Sequence, residues 1–330
     1  MGRLEPHVEQ TLHESRARIV VTGAGGWIGM ATLELLAAAL GPEFPARVCC
    51  FGSSQRTLTL LDGTAIELQP LEGIASLDAQ PTLVLHFAFL TKDRAETMDE
   101  QAYMQANRQL DRTVLEALDT IGAEAVFVAS SGAAARADDP HASPAMRLYG
   151  GLKRDQEAQF AAWAERAQKR VVVARIFNLS GPYINKQRSY ALGSFILDAL
   201  DGGPISVVAP HRVTRTYVAV RELMSLGFAI LLDGSNGMTR FDTGGEPMEM
   251  QDVAEAVAAL LGPVAIERPP VDASNGDSYA GDGDAYRALL ARHGITPVPF
   301  ARQVVETAEF ITLFQTLSNA NRVAMEGQPC

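Results

Sequence analysis

The chain has 330 residues, more than one average domain, so we expect one large domain or two closely joined ones. It is 47% hydrophobic and 20% charged, the composition of an ordinary globular protein. Its formal net charge of −11 argues against a surface that binds nucleic acid or an anionic membrane. Neither partner is therefore expected.

The cysteines show neither metal-site nor disulfide spacing. Cys49 and Cys50 are adjacent in an apolar run, and Cys330 is the last residue. We therefore expect no structural metal and a reducing, cytoplasmic location. No apolar run reaches the ~18 residues of a membrane helix, and the polar, acid-containing residues 1–18 do not resemble a signal peptide.

Strand-like and helix-like segments alternate along the first half of the chain. Short apolar runs occupy residues 18–22, 48–51, 83–88, 125–129 and 170–176. Segments with helical spacing occupy residues 30–40, 99–118 and 149–168. Continuous apolar strands that alternate with helices are typical of a parallel sheet covered on both faces. The sequence therefore predicts an α/β fold with a doubly wound parallel sheet (Rossmann).

The alternation becomes irregular after about residue 180, where Gly/Pro pairs interrupt the pattern. We assign residues 1–179 to an NAD(P)-binding Rossmann domain, to which residues 212–245 are expected to return. Residues 180–330 are assigned to a smaller C-terminal α/β substrate-binding domain. Such a domain would close over the carboxyl ends of the strands, where ligands of open α/β sheets bind.

A glycine cluster separates the first strand from the first helix. It reads Thr22-Gly23-Ala24-Gly25-Gly26-Trp27-Ile28-Gly29. Glycines allow the backbone to approach a pyrophosphate, and the helix N-terminus supplies amides and a partial positive charge. A tight turn without a ligand is the alternative, but the position after the first strand favours dinucleotide binding.

Tyr149 and Lys153 lie one helical turn apart, so a phenol and an ammonium share one face. A nearby cation favours phenolate, which would lower the Tyr149 pKa toward that of a general acid/base for carbonyl and alcohol chemistry. Ser131, at the end of the preceding strand, would donate a hydrogen bond to the same substrate oxygen. These three residues are the predicted catalytic centre.

Together these residues resemble the extended short-chain dehydrogenase/reductase superfamily, in its branch of NAD(P)-dependent nucleotide-sugar epimerases, dehydratases and reductases. Further motifs follow in the family's order: H-x-A at His86–Ala88, an asparagine at Asn107, R-x-F-N-x-x-G-P at Arg175–Pro182, R-x-(Y/F)-(V/I) at Arg215–Val218, and a variant of (Y/F)-N-x-G-G at Phe241–Gly245. The resemblance covers nearly the whole chain.

The resemblance implies roles for residues outside the catalytic centre. Ala88 would lie beside the cofactor and Phe177 near the nicotinamide, while Lys153 would hold the nicotinamide ribose. Asn178 and Arg215 would bind the diphosphate of a nucleotide-sugar substrate. Arg268 matches the family only loosely and is left as an open alternative for diphosphate binding.

The family also implies a homodimer formed through the helices over residues 99–118 and 149–168. The sequence feature behind this expectation is their apolar spacing, which includes Leu110, Val114, Phe160 and Trp163.

Several departures from the family pattern narrow the reaction. The family's 4,6-dehydratases carry Thr-Asp-Glu where this chain has Ser131-Gly132-Ala133, and its GDP-fucose epimerase-reductases would have a cysteine at position 133. The following V-Y-G of the family is Ala134-Ala135-Arg136 here. The remaining reactions are 4-epimerisation and the reduction of a 4-keto sugar. A reductase of a smaller ketone or aldehyde, or a non-catalytic dinucleotide sensor, would be the alternatives.

The end of the second strand bears on the choice of cofactor. Gly52 stands where a carboxylate would accept the ribose hydroxyls of NAD, and Ser53, Ser54 and Arg56 follow it. Hydroxyls and an arginine suit a 2′-phosphate, so NADP is slightly favoured over NAD. The predicted cofactor-binding residues are Gly23, Gly26, Trp27, Ile28, Gly29, Ser53, Ser54, Arg56, Ala88, Tyr149, Lys153 and Phe177.

Two other features are assigned to packing and solvent. His86 ends a strand and is interpreted as a packed histidine with satisfied hydrogen bonds. The acidic stretch from Asp277 to Asp284 is interpreted as a solvated loop, because its carboxylates lack the spacing of an EF-hand.

Overall fold

Helices and strands fill most of the chain in the computed structural model, which describes residues 2–326. The strands are β1 (Arg18–Thr22), β2 (Val48–Gly52), β3 (Arg56–Thr59), β4 (Ala65–Pro70), β5 (Thr82–His86), β6 (Ala123–Ser131), β7 (Arg170–Ile176), β8 (Leu179–Ser180), β9 (Ile205–Ser206), β10 (His211–Arg215), β11 (Val218–Ala219), β12 (Gly237–Asp242), β13 (Met248–Glu249), β14 (Ile266–Glu267) and β15 (Asp272–Tyr279). The helices are α1 (Pro6–Ser15), α2 (Trp27–Leu40), α3 (Phe44–Arg47), α4 (Lys92–Ala95), α5 (Glu100–Leu118), α6 (Pro144–Ala167), α7 (Ala191–Leu200), α8 (Val220–Leu231), α9 (Met250–Leu261), α10 (Gly283–Arg292) and α11 (Phe300–Glu326).

One large sheet organises the molecule, in the order β12-β7-β6-β5-β1-β2-β4-β3. Its neighbours pair in parallel except β3, which forms an antiparallel pair with β4. All five residues of β1 are buried, as is the centre of β7. Such strands have helices on both faces. The predicted doubly wound α/β fold is confirmed.

The helix beside the catalytic centre begins earlier than the sequence indicates. α6 starts at Pro144, five residues before Tyr149, and Ser143 caps it by accepting a hydrogen bond from the Met146 amide. Proline is well suited to the first turn because it needs no hydrogen bond there. Tyr149 therefore lies inside the helix and not at its start, which holds its side chain more firmly.

A second core lies among residues 184–311 and includes Phe195, Ile196, Val253 and Ile311. A small sheet of β13, β10 and β15 belongs to this part of the chain. β12, in contrast, pairs with β7 along six residues and so belongs to the large sheet. The division into domains at residue 179 stays a prediction.

The interpretation of the acidic stretch as a loop is wrong. Asp277 lies in β15, Asp282 caps α10, and Asp284 pairs with Arg287. The strand gave no signal because it consists mainly of small and polar residues without apolar alternation.

Three of the four side chains behind the dimer prediction lie in the subunit's own core. Val114 and Phe160 are 0% exposed and Trp163 is 1% exposed, whereas Leu110 is only partly buried. The spacing of those three is therefore explained by packing within the subunit, and the homodimer stays a prediction. Within residues 2–326, no helix is both long enough and apolar enough to span a membrane.

Candidate active site

The carboxyl ends of the central strands meet where the strand order reverses. Thr22, the last residue of β1, lies opposite His86, the last residue of β5. The chain passes from β1 to β2 on one side and from β5 to β6 on the other. Ligands of open α/β sheets bind in the crevice at this point. The glycine turn follows Thr22 and Ser131 ends β6, so both predicted motifs lie at this edge.

The turn after β1 requires glycine because backbone segments approach closely there. Gly23 has a φ of +67°, and a Cβ at this position would lie 2.6 Å from the Ala88 amide nitrogen. A Cβ on Gly29 would lie 2.5 Å from the Gly23 carbonyl oxygen. Gly26 precedes α2, which begins at Trp27, and has no side chain to cap the helix N-terminus. The turn and the helix end therefore fit the pyrophosphate of a dinucleotide.

Trp27 and Ile28 pack against the protein with their side chains. The Trp27 indole nitrogen donates a hydrogen bond to the Pro182 carbonyl at 2.9 Å, and its ring lies 5.2 Å from that of Tyr190. Ile28 packs against the main core. Only the backbone amides of these two residues remain as candidates for contacts with a cofactor.

Arg56 lies against the glycine turn although it is distant in sequence. A Cβ on Gly25 would collide with an Arg56 guanidinium nitrogen. Ser53 and Ser54 are exposed in the bend between β2 and β3. The structure thus brings the predicted arginine to the glycine turn after β1, while Ser53 and Ser54 lie exposed in the bend that precedes Arg56.

Ser131 and Tyr149 face each other at the end of β6. The Ser131 hydroxyl accepts a hydrogen bond from the Ala133 amide at 3.2 Å. Burial raises the pKa of Tyr149 well above its usual range, and the Ser131 hydroxyl opposes only part of this rise. The expected lowering of the Tyr149 pKa by Lys153 is therefore wrong for this structure, where desolvation is the larger effect.

Lys153 is buried and its ammonium already has partners. Nζ donates to the Ala129 carbonyl at 2.7 Å and to the Gln156 side-chain oxygen at 3.0 Å. It also lies 3.7 Å from the centre of the Phe89 ring. Burial lowers the pKa of Lys153 to about 7. To reach the ribose hydroxyls of a cofactor, the ammonium would have to exchange one of these contacts.

Two aromatic rings border the site on the side of β7. Phe177 packs so closely on Gly132 that a Cβ there would lie 2.5 Å from its ring. Tyr279, the last residue of β15, packs on Phe177 in a tilted arrangement, with ring centres 4.8 Å apart. The Tyr279 hydroxyl lies 3.3 Å from the Ser131 hydroxyl. β15 therefore brings a second phenol to the predicted catalytic serine.

The predicted substrate-binding residues are engaged with the protein. The Asn178 amide donates to the carbonyls of Thr216 at 3.0 Å and Tyr279 at 3.3 Å. A guanidinium nitrogen of Arg215 lies 2.6 Å from an Asp277 carboxylate oxygen. Asn178 thus ties β15 to the site, and Arg215 has a carboxylate where a substrate phosphate was expected.

Arg136 is a second cation near this carboxylate. Its guanidinium lies 3.9 Å from Asp277 and 5.2 Å from the centre of the Tyr279 ring. This arginine stands at the end of the short 3₁₀ helix after Ser131. Two arginines therefore flank one carboxylate at the mouth of the site.

Residues that sequence analysis set aside have structural partners. His86 is buried and contacts Thr22 and Asp111, as expected of a packed histidine. Arg268 makes a bidentate ion pair with Glu249 at 2.7 and 2.8 Å, so a diphosphate could bind Arg268 only by displacing this carboxylate.

Sequence analysis missed Phe89, Tyr279, Asp111 and Gln156. Asp111 could have been found, because Tyr103, Asn107 and Asp111 recur every four residues and so share the buried face of α5. Tyr279 gave no such signal, since its strand was interpreted as a loop. Asn107 holds the segment after β5 by accepting a hydrogen bond from the Leu90 amide at 2.7 Å.

A family model and a curated relative match the chain. The model described as the NAD dependent epimerase/dehydratase family matches residues 19–240. The probable UDP-glucuronate 4-epimerase of Rhizobium meliloti (strain 1021) is 25% identical over 171 residues. That match covers 47% of this chain and 48% of the relative, so the chain matches about half the relative's length.

Solved structures match the chain over most of its length. An epimerase from Methanothermobacter thermautotrophicus has a TM-score of 0.70 at 17% identity and covers 94% of this chain and 97% of that one. The UDP-glucose 4-epimerase of Thermus thermophilus, in complex with NAD, has a TM-score of 0.65 at 22% identity, covering 89% and 98%. At these identities the likeness shows a shared fold.

Proposed function

The chain belongs to the NAD dependent epimerase/dehydratase family, and on that premise we propose that it catalyses hydride transfer at C4 of a nucleotide-activated sugar with NAD(P). The reaction is either 4-epimerisation or reduction of a 4-keto sugar. The observation that carries the proposal is the arrangement at the end of β6: Ser131 interacts with Tyr149, and Lys153 bonds to the Ala129 carbonyl of the same strand, two strands away from β1 and its glycine turn.

Each residue of this centre has a distinct chemical task. A bound dinucleotide would supply the hydride acceptor and donor. Tyr149 takes up or returns the proton of the sugar hydroxyl, and Ser131 donates a hydrogen bond to the same oxygen. Lys153 holds the nicotinamide ribose. Because burial raises the Tyr149 pKa, Tyr149 is protonated near neutral pH and can donate its proton to the oxygen of a keto sugar.

The remaining residues orient the two ligands. Backbone amides at Gly23, Gly26, Trp27, Ile28 and Gly29 bind the pyrophosphate. Ala88 and Phe177 border the cofactor, and Asn178 and Arg215 grip the substrate diphosphate. In this arrangement residues 1–179, with residues 212–245, bind the cofactor, and residues 180–330 bind the substrate.

Product analysis tests the function directly. Purified protein would be incubated with UDP-glucose, UDP-glucuronate and a dTDP-4-keto-hexose, with NAD, NADH, NADP or NADPH. Interconversion of C4 epimers or consumption of reduced cofactor by the keto sugar is expected. Absence of both reactions, with turnover only of a small ketone or aldehyde, would overturn the substrate assignment.

We further propose that NADP is preferred over NAD. The support is the position of the Arg56 guanidinium against Gly25, with Ser53 and Ser54 beside it. A charge-assisted hydrogen bond contributes about 1.5–3 kcal/mol, a ten- to hundredfold preference. Titration with both cofactors should show that Arg56→Ala removes the preference. Tighter NAD binding by the unaltered protein would contradict the proposal.

A homodimer and a cytoplasmic location complete the proposal. The outward side of α6 carries the small side chains of Ala158, Ala161 and Ala162, which allow another helix to approach closely. The cytoplasmic location is supported by Cys49 and Cys50, which are both free thiols, as is common in a reducing compartment.

A further inference from the structure

A buried chain of hydrogen bonds connects Lys153 to the end of β1. Lys153 Nζ donates to Gln156 Oε1 at 3.0 Å, and the Gln156 amide nitrogen donates to Asp111 Oδ1. His86 Nε2 lies 3.0 Å from the same carboxylate oxygen, and His86 Nδ1 lies 2.7 Å from the Thr22 hydroxyl. These five side chains come from β1, β5, α5 and α6, and each is 4% exposed or less.

The chemistry of the groups determines which atoms in this chain of hydrogen bonds donate and which accept. An ammonium only donates, so Gln156 must present its oxygen to Lys153 and its amide hydrogens to Asp111. An imidazole protonated at Nε2 donates to the same carboxylate and accepts from the Thr22 hydroxyl at Nδ1. Donors from both ends of the chain therefore converge on Asp111.

The other carboxylate near Lys153 is occupied by a cation. Glu157 forms a bidentate pair with Arg175 at 2.8 and 2.7 Å and also accepts a hydrogen bond from Ser130. A guanidinium this close offsets most of the Glu157 charge. Asp111, in contrast, is bound by an amide and an imidazole, so its charge remains available to the ammonium.

We propose that Asp111 is a positioning residue for Lys153: through Gln156 it holds the ammonium at the Ala129 carbonyl, and through His86 it ties that ammonium to the glycine turn after Thr22. The inference rests on the role of Lys153 in the proposed function. The consequence is a lysine that keeps its charge and its place in a pocket closed by the Phe89 ring.

The electrostatics of the pocket agree with this arrangement. The titratable groups that face Lys153 are His86 on β5, Asp111 on α5, and Tyr149 and Glu157 on α6, with Arg175 of β7 behind Glu157. Burial lowers the Lys153 pKa to about 7, and the two carboxylates act to raise it. Removal of the Asp111 charge should therefore lower the Lys153 pKa further and leave the amine mostly neutral at pH 7.

Lysine NMR measures this pKa directly, because the chain contains only four lysines. Full-length protein labelled with ¹³C at the lysine ε-carbons would be titrated, with signals assigned by Lys→Arg substitution at positions 92, 169 and 186. Asp111→Asn should lower the Lys153 midpoint by about one pH unit. Glu116→Gln removes the same charge from an exposed position of α5 and should leave the midpoint unchanged.

Two further variants keep the test decisive if Asp111→Asn does not fold. Gln156→Leu interrupts the chain of hydrogen bonds and should also lower the Lys153 midpoint. Asp111→Asn combined with Gln156→Glu returns a carboxylate to the ammonium and should restore the Lys153 midpoint. An unchanged midpoint in folded Asp111→Asn or Gln156→Leu protein would overturn the proposal. The measurement of the Lys153 pKa needs no substrate. Inactivity of the protein on every sugar would therefore refute the proposed function and leave the proposal for Asp111 untouched.

Discussion

Burial shifts the pKa values of two side chains of the predicted catalytic centre. Burial raises the pKa of Tyr149 and lowers that of Lys153, so both shifts disfavour the charged forms that proton transfer uses. Burial of a site excludes water and so raises the free energy of each charged group in it. Both groups therefore favour their neutral forms in this structure.

Removal of the Tyr149 hydroxyl tests its role in proton transfer. Tyr149→Phe keeps the ring and its contact with Phe89 but has no proton to exchange. Turnover should fall by roughly 10²–10⁴. Cofactor affinity, followed by fluorescence titration, should change little. A variant that keeps more than half of its activity on the true substrate would show that another group transfers the proton.

In the proposed function, Asp277 would compete with substrate phosphate for Arg215. The Arg215 side chain is 22% exposed and that of Asp277 is 43% exposed, so their ion pair is partly screened by water. Such pairs contribute about 0.2–1 kcal/mol. A phosphate that takes the place of Asp277 must first overcome this interaction.

Asp277→Asn should tighten the binding of UDP or dTDP by up to about fivefold, because Arg215 is released from its carboxylate. Calorimetric titration measures the affinity. Asp284→Asn, which breaks the exposed pair with Arg287, serves as the control and should have no effect. Weaker nucleotide binding by Asp277→Asn would mean that the carboxylate itself contacts the ligand.

At the scale of elements, the sequence pattern did not indicate one of the helices of the fold. α1 was not predicted, because its apolar stripe is narrow, with Val8 and Leu12 four residues apart.

α8 is anchored by a buried carboxylate: Glu222 accepts a hydrogen bond from the Val298 amide just before α11. Burial raises the pKa of Glu222 to about 7.

The raised Glu222 pKa makes stability depend on pH. The folded-state pKa lies above the unfolded value, so the stabilising effect is present below about pH 4.5 and is lost as the pH rises through 7. Glu222→Gln stays neutral at every pH. Between pH 5 and 8 its free energy of unfolding should therefore exceed that of the wild type by up to about 3 kcal/mol. Thermal melts at several pH values measure this difference. The exposed Glu124→Gln should show no such trend.

At the scale of the whole molecule, the proposed dimer depends on the outward side of α5 and α6. Val114, Phe160 and Trp163 are buried in the subunit, whereas Leu110 and Leu115 of α5 are only partly buried. Arg108 and Asp155 face each other on the outside at 3.9 Å. A contact between subunits would therefore combine small and polar side chains with the exposed parts of these leucines.

Light scattering should give twice the mass of the 35.4 kDa chain. Ala162→Glu introduces a bulky charge on the exposed side of α6 and should produce monomers, whereas Ala38→Glu on α2 should not. A wild-type monomer at micromolar concentration would refute the dimer.

The sequence by itself determined the alternation of strands and helices, the glycine turn and the Tyr149–Lys153 pair. Each of these is a local pattern: apolar spacing reports burial, and residues four apart share a helix face. For the same reason the strands β1 and β7 were predicted with their observed ends.

Only the tertiary structure decided which distant residues meet in the site. Gln156 and Asp111 are 45 residues apart, Arg215 and Asp277 are 62 apart, and Ser131 and Tyr279 are 148 apart. No local pattern relates such pairs, because their contacts depend on strand order and on how the second core packs against the first. The burial that shifts the Tyr149 and Lys153 pKa values has the same long-range origin.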